Sequence, residues 1–184
     1  MEIALNVKLL NNEQSLIEAC LAHDRLAQKK LYEMYYGKMM GVSMRYANTL
    51  EDAQDIMNES FVKIFRNLYK YNLGTSLDAW IKRIIVNTAI DFYRKSLKHK
   101  LDDIDAVYDL SDTRAEDALS TCRVEDLMKM ISSLPVPYRT VFNMYVIEGY
   151  SHREIAESLS MSEGTSRANL TKARIRLKEL IVNK

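Results

Sequence analysis

Turn-forming residues are scarce: five glycines and two prolines in 184 residues. Strand-rich folds reverse direction often and need more residues that adopt positive or fixed φ. The shortage points to an all-α chain. Cysteine is also rare, with Cys20 and Cys122 far apart and neither in a C-x-x-C pair. This argues against a disulfide framework or a cysteine zinc site and predicts reduced, buried thiols. No stretch approaches about 18 uninterrupted apolar residues, so an ordinary transmembrane helix is not expected. The first residues lack a basic start before a long apolar run, so no signal peptide is expected either. The expectation is a soluble, cytoplasmic chain without membrane insertion. His23, His99 and His152 form no ligand spacing, and there is no glycine-rich phosphate loop. No catalytic residue, metal ligand or cofactor is expected, and the chain does not read as an enzyme.

What is present favours burial. Apolar residues make up 47% and charged residues 28%, a folded composition, and the length allows two compact domains. Helical spacing dominates. Leu16, Ile17 and Cys20 begin a stripe, and Leu26, Leu31, Tyr35 and Met39 continue it in a second helix. Thr49 with Asp52 resembles a capping box, followed by Ile56, Met57, Ser60, Phe61, Ile64, Phe65 and Leu68 at core spacing. Gly74 marks a break, after which Thr75 or Ser76 caps a helix whose inner face is Leu77, Ile81, Ile84, Ile85, Thr88 and Phe92. Farther on, Val124, Leu127, Met128 and Ile131 form a stripe that Leu134-Pro-Val-Pro137 stops. Val141, Phe142, Tyr145 and Val146 are then expected to face inward until Gly149. Ser151-His-Arg-Glu154 is a capping box for a short helix carrying Ile155, Ala156 and Leu159, and Ser162 caps a longer one to about Val182. Short helix, tight turn and basic helix are the parts of a helix-turn-helix.

The formal net charge is only +1, but the charges are segregated. Lys82, Arg83, Arg94, Lys95, Lys98 and Lys100 face only Asp91, whereas from Asp102 to Asp117 seven acids face only Arg114. After Glu163, cations again prevail, with Arg167, Lys172, Arg174, Arg176 and Lys178. Two basic blocks about an acidic one predict two nucleic-acid surfaces joined by a solvated tether. The expected domains are residues 8–97 and 119–184, with a flexible acidic linker at 98–118.

In the last helix Arg167, Asn169 and Thr171 suit base edges, while Thr165, Lys172, Arg174 and the amides near Gly164 suit phosphates. Leu170, Leu177 and either Ile175 or Ala173 belong to the packed side. Along the earlier helix Trp80, Arg83, Asn87, Asp91 and Arg94 recur as one stripe of an aromatic, cations and polar groups, suited to unpaired bases. Asp52, Asp55, Asn58 and Glu59 share a polar face opposite Phe61 and Phe65, suited to a basic helical partner.

Four motifs carry a family resemblance. Asp52-Ala-Gln-Asp-Ile-Met-Asn-Glu-Ser-Phe-Val-Lys-Ile-Phe65 resembles the polymerase-docking helix of the extracytoplasmic-function (ECF) sigma factors. Leu77-Asp-Ala-Trp-Ile-Lys-Arg-Ile-Ile-Val-Asn-Thr-Ala-Ile-Asp-Phe-Tyr-Arg-Lys95 resembles their promoter-melting segment. Leu134-Pro-Val-Pro-Tyr-Arg-Thr-Val-Phe142 and the run from Gly149 to Ser166 resemble their last domain. The resemblance implies that Asp52, Asp55, Asn58 and Glu59 meet core RNA polymerase, with Asn58 standing where many members carry glutamine. It implies that Trp80, Arg83, Asn87, Thr88, Asp91, Arg94 and Lys95 lie at the melted −10 element. It implies that Thr165, Ser166, Arg167, Asn169, Thr171, Lys172 and Arg174 lie at the duplex −35 element. An anti-sigma factor is the implied regulator. The competing reading is a helix-turn-helix regulator that binds duplex DNA without polymerase, which would need neither the Asp55 face nor the Trp80 stripe. A third is a polymerase-binding protein that no longer opens promoters.

Overall fold

The computed structural model describes residues 12–102 and 123–182. Among the described residues every regular element is helical, as the shortage of turn residues predicts. The chain divides into two compact units, residues 1–89 and 90–184.

The first unit begins with α1 (Glu13–Leu21), capped by Asn12, and α2 (Arg25–Met44), where Asp24 Oδ1 accepts from the N–H groups of Leu26 and Ala27 at 2.7 and 3.0 Å. α3 (Leu50–Asn67) carries the expected capping box. The Asp52 N–H donates to Thr49 Oγ1 at 3.0 Å, and Asp52 Oδ2 accepts from the Thr49 N–H at 3.2 Å. A 3₁₀ turn (Leu68–Lys70) follows, then α4 (Leu77–Asp102), which belongs to this unit as far as Ala89 and whose start is closed by Ser76, the Ala79 N–H donating to its Oγ at 3.2 Å. Gly74 at φ 94 supplies the left-handed residue that the break before α4 requires.

α2 packs on α1 and α3, and the 3₁₀ turn packs against both α1 and α3. Leu31, Met39, Ile56, Met57, Ile64, Leu68, Ile81 and Ile85 are fully buried. Each such side chain stabilises the fold by about 1.5–3 kcal/mol, against about 1 kcal/mol for a helix cap, so burial dominates. Tyr32 and Phe61 meet edge-on at 4.6 Å between centroids, joining α2 to α3. α4 is tied in by Lys38–Asp78 at 2.5 Å and by Trp80 against Tyr71 at 5.7 Å. At the start of α2 the expected Leu26 is 66% exposed and Ala27 is buried instead. Ala27 stands four residues before the buried Leu31, in step with the helical repeat, whereas Leu26 stands five before it.

The second unit contains α5 (Arg123–Ser132), α6 (Val136–Phe142), a π-helical turn (Asn143–Ile147), α7 (His152–Leu159) and α8 (Glu163–Val182). α8 packs on α5, α6 and α7. Ile131, Leu134, Ala173 and Leu177 form a core cluster, with Met128, Met130, Tyr138 and Phe142 against it. Leu127 is exposed rather than part of the expected stripe. Arg139 is buried and donates to the Ser132 carbonyl at 2.8 Å, closing the C-terminus of α5.

The expected inward run after α6 is corrected. Tyr145 and Val146 are 36% and 49% exposed, while Asn143 and Met144 are fully buried. The turn closes with a bond from Glu148 N–H to Asn143 O at 3.0 Å, a span of five residues in place of four. The wider turn rotates the following side chains off the 3.6-residue stripe. Gly149 at φ 79 then ends the run, letting Tyr150 N–H reach Met144 O at 2.9 Å.

At the expected linker, residues 98–102 continue the α4 backbone, and 103–118 lie outside the described residues, as do Cys122 and the first residues of each expected domain. Among the described residues no helix is long and apolar enough to cross a membrane. Cys20 is a buried free thiol, pushed up to about 11 by burial and then by Asp24.

Candidate nucleic-acid interface

α7 and α8 form the helix-turn-helix. Ser151 and Glu154 close the reciprocal box, with Glu154 N–H donating to Ser151 Oγ at 3.2 Å and Ser151 N–H donating to Glu154 Oε2 at 2.8 Å. Ser160 ends α7 at φ 54, a left-handed conformation that lets Met161 N–H return to Ala156 O at 3.0 Å. Ser162 Oγ then accepts from Thr165 N–H at 3.0 Å, starting α8. Ile155, Ala156 and Leu159 are buried as expected, and Ala173, not Ile175, completes the packed side of α8 with Leu170 and Leu177.

On the outer side of α8, Thr165, Arg167, Thr171, Lys172 and Arg174 are exposed and Asn169 is half-buried. Arg167 donates to Glu163 Oε2 at 2.6 Å, which holds the guanidinium along the first turn, and Lys172 Nζ stands 5.7 Å over the Tyr138 ring. Ser166 departs from this group. It is fully buried, its hydroxyl 2.9 Å from His152 Nδ1, so it holds α8 to α7 and presents nothing to a groove. The His152 ring stacks on Tyr145 at 4.5 Å. Desolvation, with Arg167 and Arg174 nearby, holds His152 below the usual histidine range, against a smaller upward pull from Glu163.

On α4, Arg83, Asn87 and Lys95 are exposed, and Trp80, Asp91 and Arg94 are half-buried. Asp91 pairs with Arg94 one turn on. Thr88 is 1% exposed, on the inner face where helical spacing puts it, and its hydroxyl donates to Ile84 O at 2.9 Å and accepts from Lys63 Nζ at 3.2 Å. It belongs to the seam between α3 and α4.

On α3, Asp55 and Asn58 are exposed and Glu59 is half-buried, paired with Lys63 at 3.0 Å. The Asp52 carboxylate is engaged by the cap described above, so its first role is to start the helix that carries the other three.

Comparison with known proteins places both units. Residues 31–98 match the family Sigma-70 region 2, and residues 124–177 match Sigma-70, region 4. Over 170 residues the chain is 26% identical to the ECF RNA polymerase sigma factor SigM of Mycobacterium tuberculosis, covering 92% of this chain and 85% of that one. Over 183 residues it is 29% identical to the ECF RNA polymerase sigma-E factor of Haemophilus influenzae, covering 94% of each. The chain belongs to the ECF group of the sigma-70 family. Among solved structures it resembles the sigma factor RpoE of Bartonella quintana, crystallised with the anti-sigma factor NepR. The TM-score is 0.51 at 21% identity, covering 83% of this chain and 95% of that one, a likeness of fold.

Within this sigma factor, region 2 holds the α3 face and the α4 stripe, and region 4 holds the helix-turn-helix. Three residues that bear on these surfaces escaped sequence reasoning: Lys63, Tyr138 and Glu163. Lys63 and Glu163 each stand four residues from an acid or base already singled out, a spacing that pairs side chains on a helix. Tyr138 carried no such cue, because its contact with Lys172 joins α6 to α8. Among the described residues no three His, Cys, Asp or Glu side chains gather as metal ligands.

Proposed function

We propose that this sigma factor docks core RNA polymerase through Asp55, Asn58 and Glu59, engages the melted −10 element along the α4 stripe, and reads the −35 duplex with α8. The observation that carries the reading is the co-occurrence of three surfaces in one chain. They are an acidic exposed face on α3, an aromatic and basic stripe on α4, and a basic helix in a helix-turn-helix. An ordinary duplex-binding regulator needs only the last.

Each surface suits its task. Exposed carboxylates on a rigid helix meet cationic side chains of a partner helix. Trp80 offers a ring face, and Arg83, Asn87 and Lys95 offer donors to unpaired bases, whose extrusion costs a few kcal/mol that stacking offsets. Arg167 suits the bidentate pattern of guanine in the major groove, Asn169 and Thr171 lie within the next turn, and Thr165, Lys172 and Arg174 suit phosphates. The sigma factor performs no bond chemistry; polymerase forms the phosphodiester. Its place of action is the cytoplasm, and its expected regulator is an anti-sigma protein that covers the polymerase-binding face. The sigma factor RpoE, crystallised with the anti-sigma factor NepR, supports expecting an anti-sigma partner.

The test is transcription by purified core polymerase on a genomic fragment library, with and without the protein. Discrete new starts downstream of a shared pair of elements are expected. Asp55→Ala with Glu59→Ala is expected to weaken core binding at unchanged helical content. Duplex binding without core binding would instead establish an ordinary regulator.

A further inference from the structure

The Lys63 ammonium stands where two of the proposed surfaces meet. On its own helix Lys63 Nζ is 3.0 Å from Glu59 Oε1, and across the seam it donates to Thr88 Oγ1 at 3.2 Å. The Thr88 hydroxyl spends its single proton on Ile84 O at 2.9 Å, so toward Lys63 it is an acceptor, and the link requires a donor at position 63. Thr88 is buried, and the Lys63 and Glu59 side chains are 35% and 40% exposed. A pair so placed is screened less than a fully solvated one.

Glu59 belongs to the proposed docking face, and Thr88 adjoins Asn87 in the middle of the proposed promoter stripe. A cation brought to Glu59 by a partner competes with Lys63 for the carboxylate. The ammonium that loses counter-charge there holds Thr88 differently, and by linkage any shift of Thr88 changes how Glu59 receives its partner. We propose that Lys63 is a positioning residue that couples polymerase docking at Glu59 to the placement of α4 through Thr88. This rests on the sigma reading above and adds to it a communicating residue between two of its surfaces.

The experiment follows strand opening with a fluorescent base analogue in the −10 element, at saturating core polymerase, so that docking strength does not limit the rate. Glu59→Gln and Thr88→Val are made singly and together, with Lys63 retained and again with Lys63→Met, which keeps length and removes the donors. With Lys63 retained, the two substitutions are expected to be non-additive by on the order of three- to tenfold in opening rate. With Lys63→Met they become additive, and Lys63→Arg, which keeps charge and donors, restores the coupling. A merely structural lysine would lower thermal stability without changing additivity, and that result overturns the proposal. Should Lys63→Met fail to fold, additivity of the pair with Lys63 retained overturns it equally. If the unsubstituted protein opens no promoter with core, the sigma reading itself falls and the coupling with it. Promoter opening with additive substitutions removes the coupling alone.

Discussion

At the start of α7 the Glu154 carboxylate accepts from the Ser151 N–H at 2.8 Å and from the Ser151 hydroxyl at 2.7 Å. These bonds favour the ionised form and hold Glu154 below its ordinary value of 4.5, with the backbone bond the larger cause. A depressed carboxylate adds stability that is whole above the unfolded value and disappears as pH falls through the lower folded one. His152 acts in the same direction from a higher pH. The folded state disfavours its charged form, so stability falls as pH drops below the ordinary 6.5 toward the lower folded value. Thermal melting against pH is therefore expected to show two acid-side declines. Glu154→Gln should remove the lower one and His152→Gln the upper. Ser151→Ala should cost about 1 kcal/mol at neutral pH, as loss of a cap does. A lower decline that survives Glu154→Gln would show that the box carries no pH dependence.

The element that sets the second unit apart is the π-helical turn between α6 and α7. It buries Met144 completely and leaves Val146 49% exposed. Met144→Ala is expected to destabilise by about 2–5 kcal/mol, whereas Val146→Ala should stay within about 0.5 kcal/mol. Urea unfolding of the two variants decides the matter, and equal costs would mean that the turn does not persist in solution. The same turn marks a limit of sequence reading. Ile155, Ala156 and Leu159, or Ile56, Met57 and Ile64, were legible because an α-helix repeats every 3.6 residues and their stripes obey it. Both capping boxes were legible because their partners are three residues apart. Asn143–Ile147 was not, since an extra residue in one turn offsets every side chain after it and no residue type announces it. Ser166 and Thr88 are a different case. Each lies at core spacing on its helix, Ser166 with Leu170, Ala173 and Leu177, and Thr88 with Ile81 and Ile85. Helical spacing already set Thr88 on the inner face, and only the family resemblance assigned it and Ser166 to DNA, whereas a hydroxyl that finds an internal partner is satisfied inside. The exposed candidates Arg83, Arg167 and Lys172 were found because solvated cations on an amphipathic helix have nowhere else to go, and Asn87 because it continues the stripe of Arg83.

Across the whole molecule, two modest DNA surfaces carried on one chain gain from being joined. Once the first is engaged, the second binds as an intramolecular event, at an effective concentration that a short flexible connection keeps near millimolar. The acids from Asp102 to Asp117 are the composition expected of such a connection, because like charges on a chain repel. Loop-closure entropy grows only logarithmically, so doubling a tether of about twenty residues costs about 0.6 kcal/mol, roughly threefold in promoter occupancy. Inserting an equal length of glycine and serine after residue 110 should therefore lower transcription by no more than that factor at limiting protein, and by nothing measurable at saturation. Supplying the two halves as separate chains at micromolar concentration should lower it by on the order of a thousandfold, the ratio of millimolar to micromolar. If the insertion instead abolished initiation at any concentration, the acid-rich stretch would have to follow a defined path on the polymerase. The acids from Asp102 to Asp117 would then be contacts in their own right, and neutralising them in pairs would locate where along the stretch the loss begins.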